Sequence, residues 1–542
     1  MRAKVESVKD LTLGGARSIA QDDEQESMTL HPRVDVAGDG PQMVIDLERA
    51  LWRRGAPVAQ CLRLLREGIT RYPDHVGLAA RLAMRYREQA DWQHALPDFA
   101  AMISGGGTIA APLDLHFLLD DPAILAHAAA RAAEHYRTMA PLARVPIRPA
   151  TKRRLRIGYV SGDFREHALG QLAIGPIECH DRARFDIFGY GTLADDGSAL
   201  HQRFLRAFDH YRDLHDAPAT AIVDAIRQDE IDILVHLSGY THGGRCEILP
   251  ARPAPIAVNY LGFPGTMGMA SVDYIIGDPI VLGPAMIGQV SEAPVLLPDC
   301  YQPNLRSAPP PGDLAADRAA HGLPEAALVL ACFCTTVKIS EPVFARWMAV
   351  LRAVPEAVLW LLDNPRTDPG PRFREAAVRH GVAPDRIVIA PWLPSKAHQA
   401  RLPLADLALD TAPYGAHTSG SDMLWSGVPM VALLGDAFAA RVSASLLRAA
   451  GLSELVATDL DRYEAIILGL AHDRPRLTAL RHYLIEARET LPLFDAPRHT
   501  RQLETAFELM WEAYRAGARP SGFSVLPHHG SGSGSEWPNW AR

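Results

Sequence analysis

LADLALDTAPYGAHTSGSDMLWSGVPMV, residues 404–431, starts as a short apolar run and breaks after Asp410 into a Pro/Gly loop. It restarts as a helix at His417-Thr418-Ser419-Gly420 and returns to an apolar run beyond Gly427. Strand, loop, helix, strand is the rhythm of a parallel α/β sheet. The junction also has a chemical reading. Backbone N–H groups at a helix start, the helix dipole and the hydroxyls of Thr418 and Ser419 converge on anionic oxygens, a diphosphate for instance, without requiring a metal. Asp422, within the helix, is placed to accept hydrogen bonds from ribose hydroxyls. A merely capped helix start is the plain alternative for HTSGSD taken by itself.

The same rhythm extends on both sides. ALVLACFC (327–334), AVLWLLD (357–363), RIVIAPW (386–392) and VPMVALLG (428–435) complete one cycle of strands. An earlier cycle contains LRIGYVS (155–161), FDIFGYG (185–191), IDILVHLSG (231–239), PIAVNYLG (255–262) and VDYIIGD (272–278). Its strands end in Gly, Ser or Asp, which gathers polar groups at the carboxyl edge, where open α/β sheets bind ligands. RSAPPPGD (306–313) separates the cycles, so two Rossmann-like lobes are expected, residues 151–310 and 311–517, with a cleft between them.

Before the lobes, residues 39–150 read as helical. Cys61, Leu62 and Leu65 recur 34 residues later as Ala95, Leu96 and Phe99, the period of a tetratricopeptide-like helix pair, and two degenerate repeats are expected. A plain helical cap is the other reading, since so few repeats lean on a neighbour for stability. Residues 1–38 read as a mobile leader and 518–542, with GSGSGSEW, as a flexible Gly/Ser tail.

Bulk properties narrow the function classes. The 542 residues exceed one core, and 48% hydrophobic with 22% charged residues is a globular balance. The net charge of −8 provides no general attraction to nucleic acid or anionic lipid. The six cysteines are scattered, except Cys332-x-Cys334, and read as buried thiols; no paired spacing suggests a zinc site. With no apolar leader and no run of about 18 apolar residues, neither a membrane span nor export is indicated, and a cytoplasmic location is the default expectation.

Several separated segments, in order, resemble the protein O-GlcNAc transferases and their bacterial and plant SPINDLY-type relatives. They are RIGYVSGDFREH (156–167), ILVHLSGYTHGGR (233–245), RPAPIAVNYLGFPGTMG (252–268), LPDCYQ (297–302), the Lys338 segment, the 404–431 stretch and LFDAPRHTRQLETAFELMWEAY (493–514). The resemblance runs from about Arg154 to Gly517. It implies a GT-B fold, an inverting, metal-independent transfer of N-acetylglucosamine from UDP-GlcNAc to Ser or Thr hydroxyls, and acceptor proteins presented by the helical repeats.

Residue by residue, it implies that Lys338 neutralises the leaving diphosphate, in the manner of a charge-stabilising site. His398 and Leu393 are implied beside the base, and His417, Thr418, Ser419 and Asp422 at phosphate and ribose. Asp163 and His167 are implied beside the sugar and the acceptor oxygen, His167 as a catalytic-site residue, and Gly262, Phe263 and Pro264 along the sugar pocket. The chain departs from the pattern at Cys334-Thr335-Thr336-Val337, where relatives carry amides and a Tyr; Thr335 replaces one hydrogen bond. Upstream of the first lobe only His116 matches a family His pair. Transfer from GDP-fucose or another nucleotide sugar, and a non-catalytic scaffold of the same fold, stay open at this point.

Overall fold

The computed structural model describes residues 40–94, 96–105, 112–137, 154–304 and 318–527. The 1–38 segment, the 138–153 connector and the 306–313 separator therefore lie outside the described residues.

Seven strands follow the helical region: β1 (Leu155–Ser161), β2 (Phe185–Gly191), β3 (His210–Asp213), β4 (Ile233–His236), β5 (Ile256–Asn259), β6 (Tyr274–Gly277) and β7 (Ala293–Leu296). Six more form a second sheet: β8 (Leu328–Cys332), β9 (Ala357–Leu362), β10 (Ile387–Ala390), β11 (Leu407–Leu409), β12 (Met430–Leu433) and β13 (Val456–Ala457). A final strand, β14 (Phe523–Ser524), returns to the first. The orders are β14-β7-β6-β5-β4-β1-β2-β3 and β10-β9-β8-β11-β12-β13. Each ladder within these sheets is parallel. β2, β4, β5, β6 and β8 are buried along their whole length, as strands covered by helices on both faces must be. Their unbroken apolar runs have this cause.

Each order reverses direction once, between β1 and β4 and between β8 and β11. At such a point the loops leave neighbouring strands in opposite directions and open a crevice at the carboxyl edge. The two switch points therefore position the loops after β1 and β4 in one lobe and after β8 and β11 in the other.

The lobes are joined by more than a linker. The helix Ala496–Arg515 belongs to the segment assigned by sequence to the second lobe, yet it packs on the helix Ala168–Cys179 of the first. There Glu504 accepts from Asp181 N at 2.7 Å and pairs with His180 Nδ1 at 3.0 Å. Residues 518–527 correct the expected tail: Phe523 and Ser524 pair with Val295 and Leu296, extending the first sheet. Two paired residues are too few to register as a strand in hydrophobic periodicity. Residues 528–542 lie outside the described residues.

The helical region holds helices Gly40–Arg53, Val58–Arg71 and Val76–Arg87, then shorter ones at Phe99–Ser104 and Pro112–His116 and a longer one at Pro122–Arg137. The second repeat is incomplete. Leu96 is 41% exposed outside any helix, and the helix begins only at Phe99, after Pro97 and with Asp98 as its cap, accepting from Ala101 N at 3.0 Å. Proline disfavours helix in the residue before it, and the aspartate fixes the start. Among the described residues no helix is long and apolar enough to cross a membrane. Five cysteines are buried as expected, whereas Cys179, at the end of its helix, is exposed.

A buried ion network secures this region. Glu48 accepts from Arg81 Nε at 2.5 Å and Arg85 Nε at 2.6 Å, and Arg81 also reaches Asp114 at 3.1 Å. Removing one member strands charges already taken out of water. Glu48→Ala is expected to lower stability by about 3 kcal/mol. Urea titration followed by Trp52 fluorescence reports it, since the Arg85 guanidinium stacks 3.6 Å from that ring; an unmoved midpoint contradicts the expectation.

Candidate active site

Lys338 ends the short turn Thr336–Lys338 that follows β8, and the helix Thr418–Trp425 follows the loop after β11. The two therefore flank the second lobe's switch point. Lys338 Nζ donates to Gly415 O at 3.0 Å and lies 4.0 Å from the centroid of Tyr414. Tyr414 in turn stacks on His417 at 4.5 Å. Ser419 Oγ is 3.3 Å from Cys334 Sγ, so the β8 loop and the helix start touch directly. A parallel bridge between Ile339 and Ala412 ties the loops together. Burial depresses the Lys338 pKa, partly offset by Cys334 and Asp410. Burial, then the Lys338 charge, hold His417 well below the usual imidazole range, and its Nε2 is 2.9 Å from Ala439 O. Asp422 is half-buried one turn into the helix, and Thr335 is exposed, its carbonyl accepting Lys338 N at 3.0 Å.

Asp410, which sequence reasoning passed over, builds this loop. Fully buried at the end of β11, it accepts from Thr411 N, Ala416 N and Ser443 Oγ at 2.7–2.8 Å and from Leu433 N at 3.2 Å. Burial pushes its pKa up to about 7 against those donors. The signal was present: a carboxylate directly after an apolar strand and before a Pro/Gly loop has few partners other than loop N–H groups.

His398 sits on the helix Ser395–Arg401, between β10 and β11. Its Nδ1 accepts from Arg401 Nη2 at 2.8 Å, and its ring meets Phe333, between the two loop cysteines, at 5.1 Å. Burial and the Arg401 charge lower its pKa to about 4, so the ring is neutral, and with Nδ1 accepting, its proton is on Nε2. Leu393 is half-buried in the loop between β10 and this helix.

In the first lobe, Asp163 and His167 follow β1. His167 caps the helix Ala168–Cys179, its Nδ1 accepting from Leu169 N at 3.2 Å, with Asp163 Oδ2 at 3.5 Å. Burial raises the Asp163 pKa against the pull of His167, Arg165 and His242. Gly262, Phe263 and Pro264 follow β5. A β-carbon at Gly262 would stand 2.3 Å from Leu237 O, so only glycine lets the loop cross there. Across the lobes, Gln171 Nε2 donates to Ser395 Oγ at 3.2 Å.

One segment of the helical region touches both lobes. His116 meets Phe263 edge-on at 5.2 Å, and a β-carbon at Gly265 would stand 2.8 Å from its Cε1. Phe117 stacks on Tyr414 at 4.6 Å. Asp120 accepts from Asp436 N and Ala437 N at 3.0 and 2.7 Å. His116 is buried, has no hydrogen-bond partner at Nδ1, and burial lowers its pKa to about 4. Sequence reasoning noticed this histidine without giving it a role.

Two parallel Rossmann-like lobes, switch-point loops bearing a lysine and a helix start, and a helical region bridging them define the class: a two-lobed, GT-B glycosyltransferase architecture. Comparison with known proteins narrows the class. The family model "Glycosyl transferase family 41" matches residues 136–302 and 307–503, and the chain belongs to that family. An Arabidopsis thaliana relative, "Probable UDP-N-acetylglucosamine--peptide N-acetylglucosaminyltransferase SEC", is 38% identical over 69% of this chain and 39% of its own length. A Caenorhabditis elegans UDP-N-acetylglucosamine–peptide N-acetylglucosaminyltransferase is 28% identical over 67% of this chain and 41% of its own. The chain thus spans about two fifths of the length of these relatives. Among solved structures, a mutant Thermobaculum terrenum O-GlcNAc transferase superposes with a TM-score of 0.72 at 30% identity, covering 88% of this chain and 96% of that one.

Proposed function

We propose that the protein transfers N-acetylglucosamine from UDP-GlcNAc to Ser or Thr hydroxyls of acceptor proteins, with inversion at the anomeric carbon. One observation carries the reading: an ammonium group and a helix N-terminus, from loops either side of the second lobe's switch point, are joined through Gly415 and through the Cys334–Ser419 contact. Charge growing on a departing diphosphate meets a cation and unpaired N–H groups there. The names of the relatives supply the sugar and the peptide acceptor.

In this reading Lys338, Thr418 and Ser419 take the diphosphate, with His417 lining the loop that holds them. Asp422 takes the ribose, and His398 with Leu393 takes the base, the Nε2–H of His398 donating. Gly262, Phe263 and Pro264 line the sugar side. Asp163, His167 and His116 lie on the acceptor side, where the hydroxyl must lose a proton as it attacks. The His167 Nδ1 is committed to a helix cap, so that nitrogen does not accept the proton. The helical region presents the acceptor.

The direct test incubates the purified chain with UDP-GlcNAc, GDP-fucose and a cell extract and finds the modified residues by mass spectrometry. HexNAc on Ser or Thr from UDP-GlcNAc is expected; deoxyhexose from GDP-fucose, or no transfer, overturns the assignment.

A proton-linked consequence follows. Burial lowers the Lys338 pKa in the free protein, and a bound diphosphate restores it, so binding favours proton uptake. UDP affinity is expected to fall as pH rises through the Lys338 titration. Calorimetry in buffers of different ionisation enthalpy should show net uptake at alkaline pH; net release contradicts the assignment.

A further inference from the structure

Lys338 is held by its own lobe through its side chain, and by the helical region through the backbone beside it. Ile339 directly follows the lysine and closes the turn Thr336–Lys338. Ile339 is buried, its backbone bridges to Ala412, and its carbonyl accepts from Trp92 Nε1 at 3.1 Å. Donor and acceptor of that bond are 247 residues apart in the chain. The helix Val76–Arg87, just before Trp92, also packs on the lysine turn.

The backbone is bent to bring the indole there. Beyond the helix, the buried Ala90 takes a left-handed conformation, φ 54°, which a β-carbon disfavours. That turn sends Asp91 and Trp92 onto the second lobe. Two contacts clamp the segment just ahead of the indole: Glu88 O accepts from Thr367 Oγ1 at 2.8 Å, and Asp91 pairs with Arg372. The Trp92 ring lies 5.0 Å from Phe344 and 6.0 Å from Phe373, both on helices of that lobe. A phenylalanine could make these ring contacts as well. What the indole adds is an N–H, and it is aimed at the carbonyl next to the lysine.

We propose that Trp92 is a positioning residue: its indole N–H holds the Ile339 carbonyl, and through it the helical region fixes the Lys338 turn against the helix start at Thr418. The consequence for turnover rests on the assignment of Lys338 to the leaving diphosphate. A lysine has a flexible four-carbon stem, so the backbone at its root decides which positions the ammonium reaches. With the donor removed, the Ile339 carbonyl is left unpaired beside a buried residue, and the turn shifts to let it find another partner. A displaced ammonium still attracts the diphosphate, yet it no longer stands where charge grows on the leaving oxygen. The region that presents the acceptor thereby also sets the cation on the donor side.

The test uses two variants of the full chain. Trp92→Phe keeps a ring against Phe344 and Phe373 but loses the donor, whereas Thr367→Val removes the neighbouring bond to Glu88 O without touching the turn. Hydrogen–deuterium exchange reads the turn directly, through the amides of Lys338 and Ile339, which donate to Thr335 O and Thr336 O. Trp92→Phe should speed their exchange about tenfold and leave the helix Val76–Arg87 as protected as in the parent, and Thr367→Val should change neither. Turnover should fall about tenfold in Trp92→Phe, while KM for UDP-GlcNAc moves less than about twofold. Added to Lys338→Met, Trp92→Phe should slow transfer by less than about twofold more, because nothing is left to position. Unchanged exchange at the turn overturns the proposal, as does a loss of turnover that Thr367→Val matches or that adds in full to Lys338→Met. Faster exchange with parental turnover also overturns it where Lys338→Met is inactive. Where Lys338→Met is itself as active as the parent, the hold on the turn stands and the fault lies in the diphosphate assignment.

Discussion

Lys338→Met is expected to lower kcat for sugar transfer by about a thousandfold, roughly 4 kcal/mol of transition-state stabilisation, the upper range for removing one preorganised charge-stabilising group. The ammonium is fixed by Gly415 O at 3.0 Å and by the Tyr414 ring at 4.0 Å. It therefore does not reorganise as the glycosidic bond breaks. Burial works against its charge in the empty protein, and so removing it should leave stability unchanged or slightly raised. Methionine keeps the unbranched stem over Tyr414, which separates lost charge from lost packing. Binding of the intact donor UDP-GlcNAc should weaken far less than kcat, because the leaving-group charge develops only as the glycosidic bond breaks, whereas UDP, which carries that charge in full, should lose affinity too. Turnover within a few fold of the parent, in a protein with unchanged thermal melting, refutes the role.

How much of this was legible beforehand depends on the range of the interactions. The parallel lobes were, because strands buried on both faces, such as Leu328–Cys332 and Ile256–Asn259, write their environment as unbroken apolar runs. The loop after β11 was as well, since Pro413, Gly415 and the Thr418 helix start are local signals a few residues apart. The proximity of Lys338 to Thr418 came from family resemblance, and the structure brings the Lys338 side chain to Gly415, three residues before Thr418. What could not be read was contact between distant segments. Asp120 caps Asp436 and Ala437, and Phe117 covers Tyr414, across about three hundred residues with no shared periodicity. That His167 also caps a helix could not be read, because a histidine cap lacks the Ser, Thr, Asp or Asn signature. The second helical repeat shared residue types with the first but not its register, because Pro97 delays the helix.

The bridging segment leads to the second large effect. His116→Ala is expected to lower kcat by about a hundredfold, the lower range for loss of a positioned general base, while leaving the Kd for UDP unchanged. A buried imidazole nitrogen without a partner costs folding free energy, so an orphan retained where both lobes meet the helical region calls for a functional account. Burial keeps the ring neutral down to about pH 4, the protonation state that a general base needs at physiological pH. Two measurements decide the matter. If His116 is the base, its acid limb in log kcat falls near pH 4 rather than near 6.5, the ordinary imidazole value; a limb near 6.5 assigns the proton to another histidine. If the ring only fills space, His116→Leu, which removes the orphan nitrogen and keeps an apolar side chain, should be fully active and at least as stable as the parent. Loss of turnover in both variants, with Lys338 and its Gly415 contact untouched, would separate proton removal at the acceptor from charge stabilisation at the leaving group.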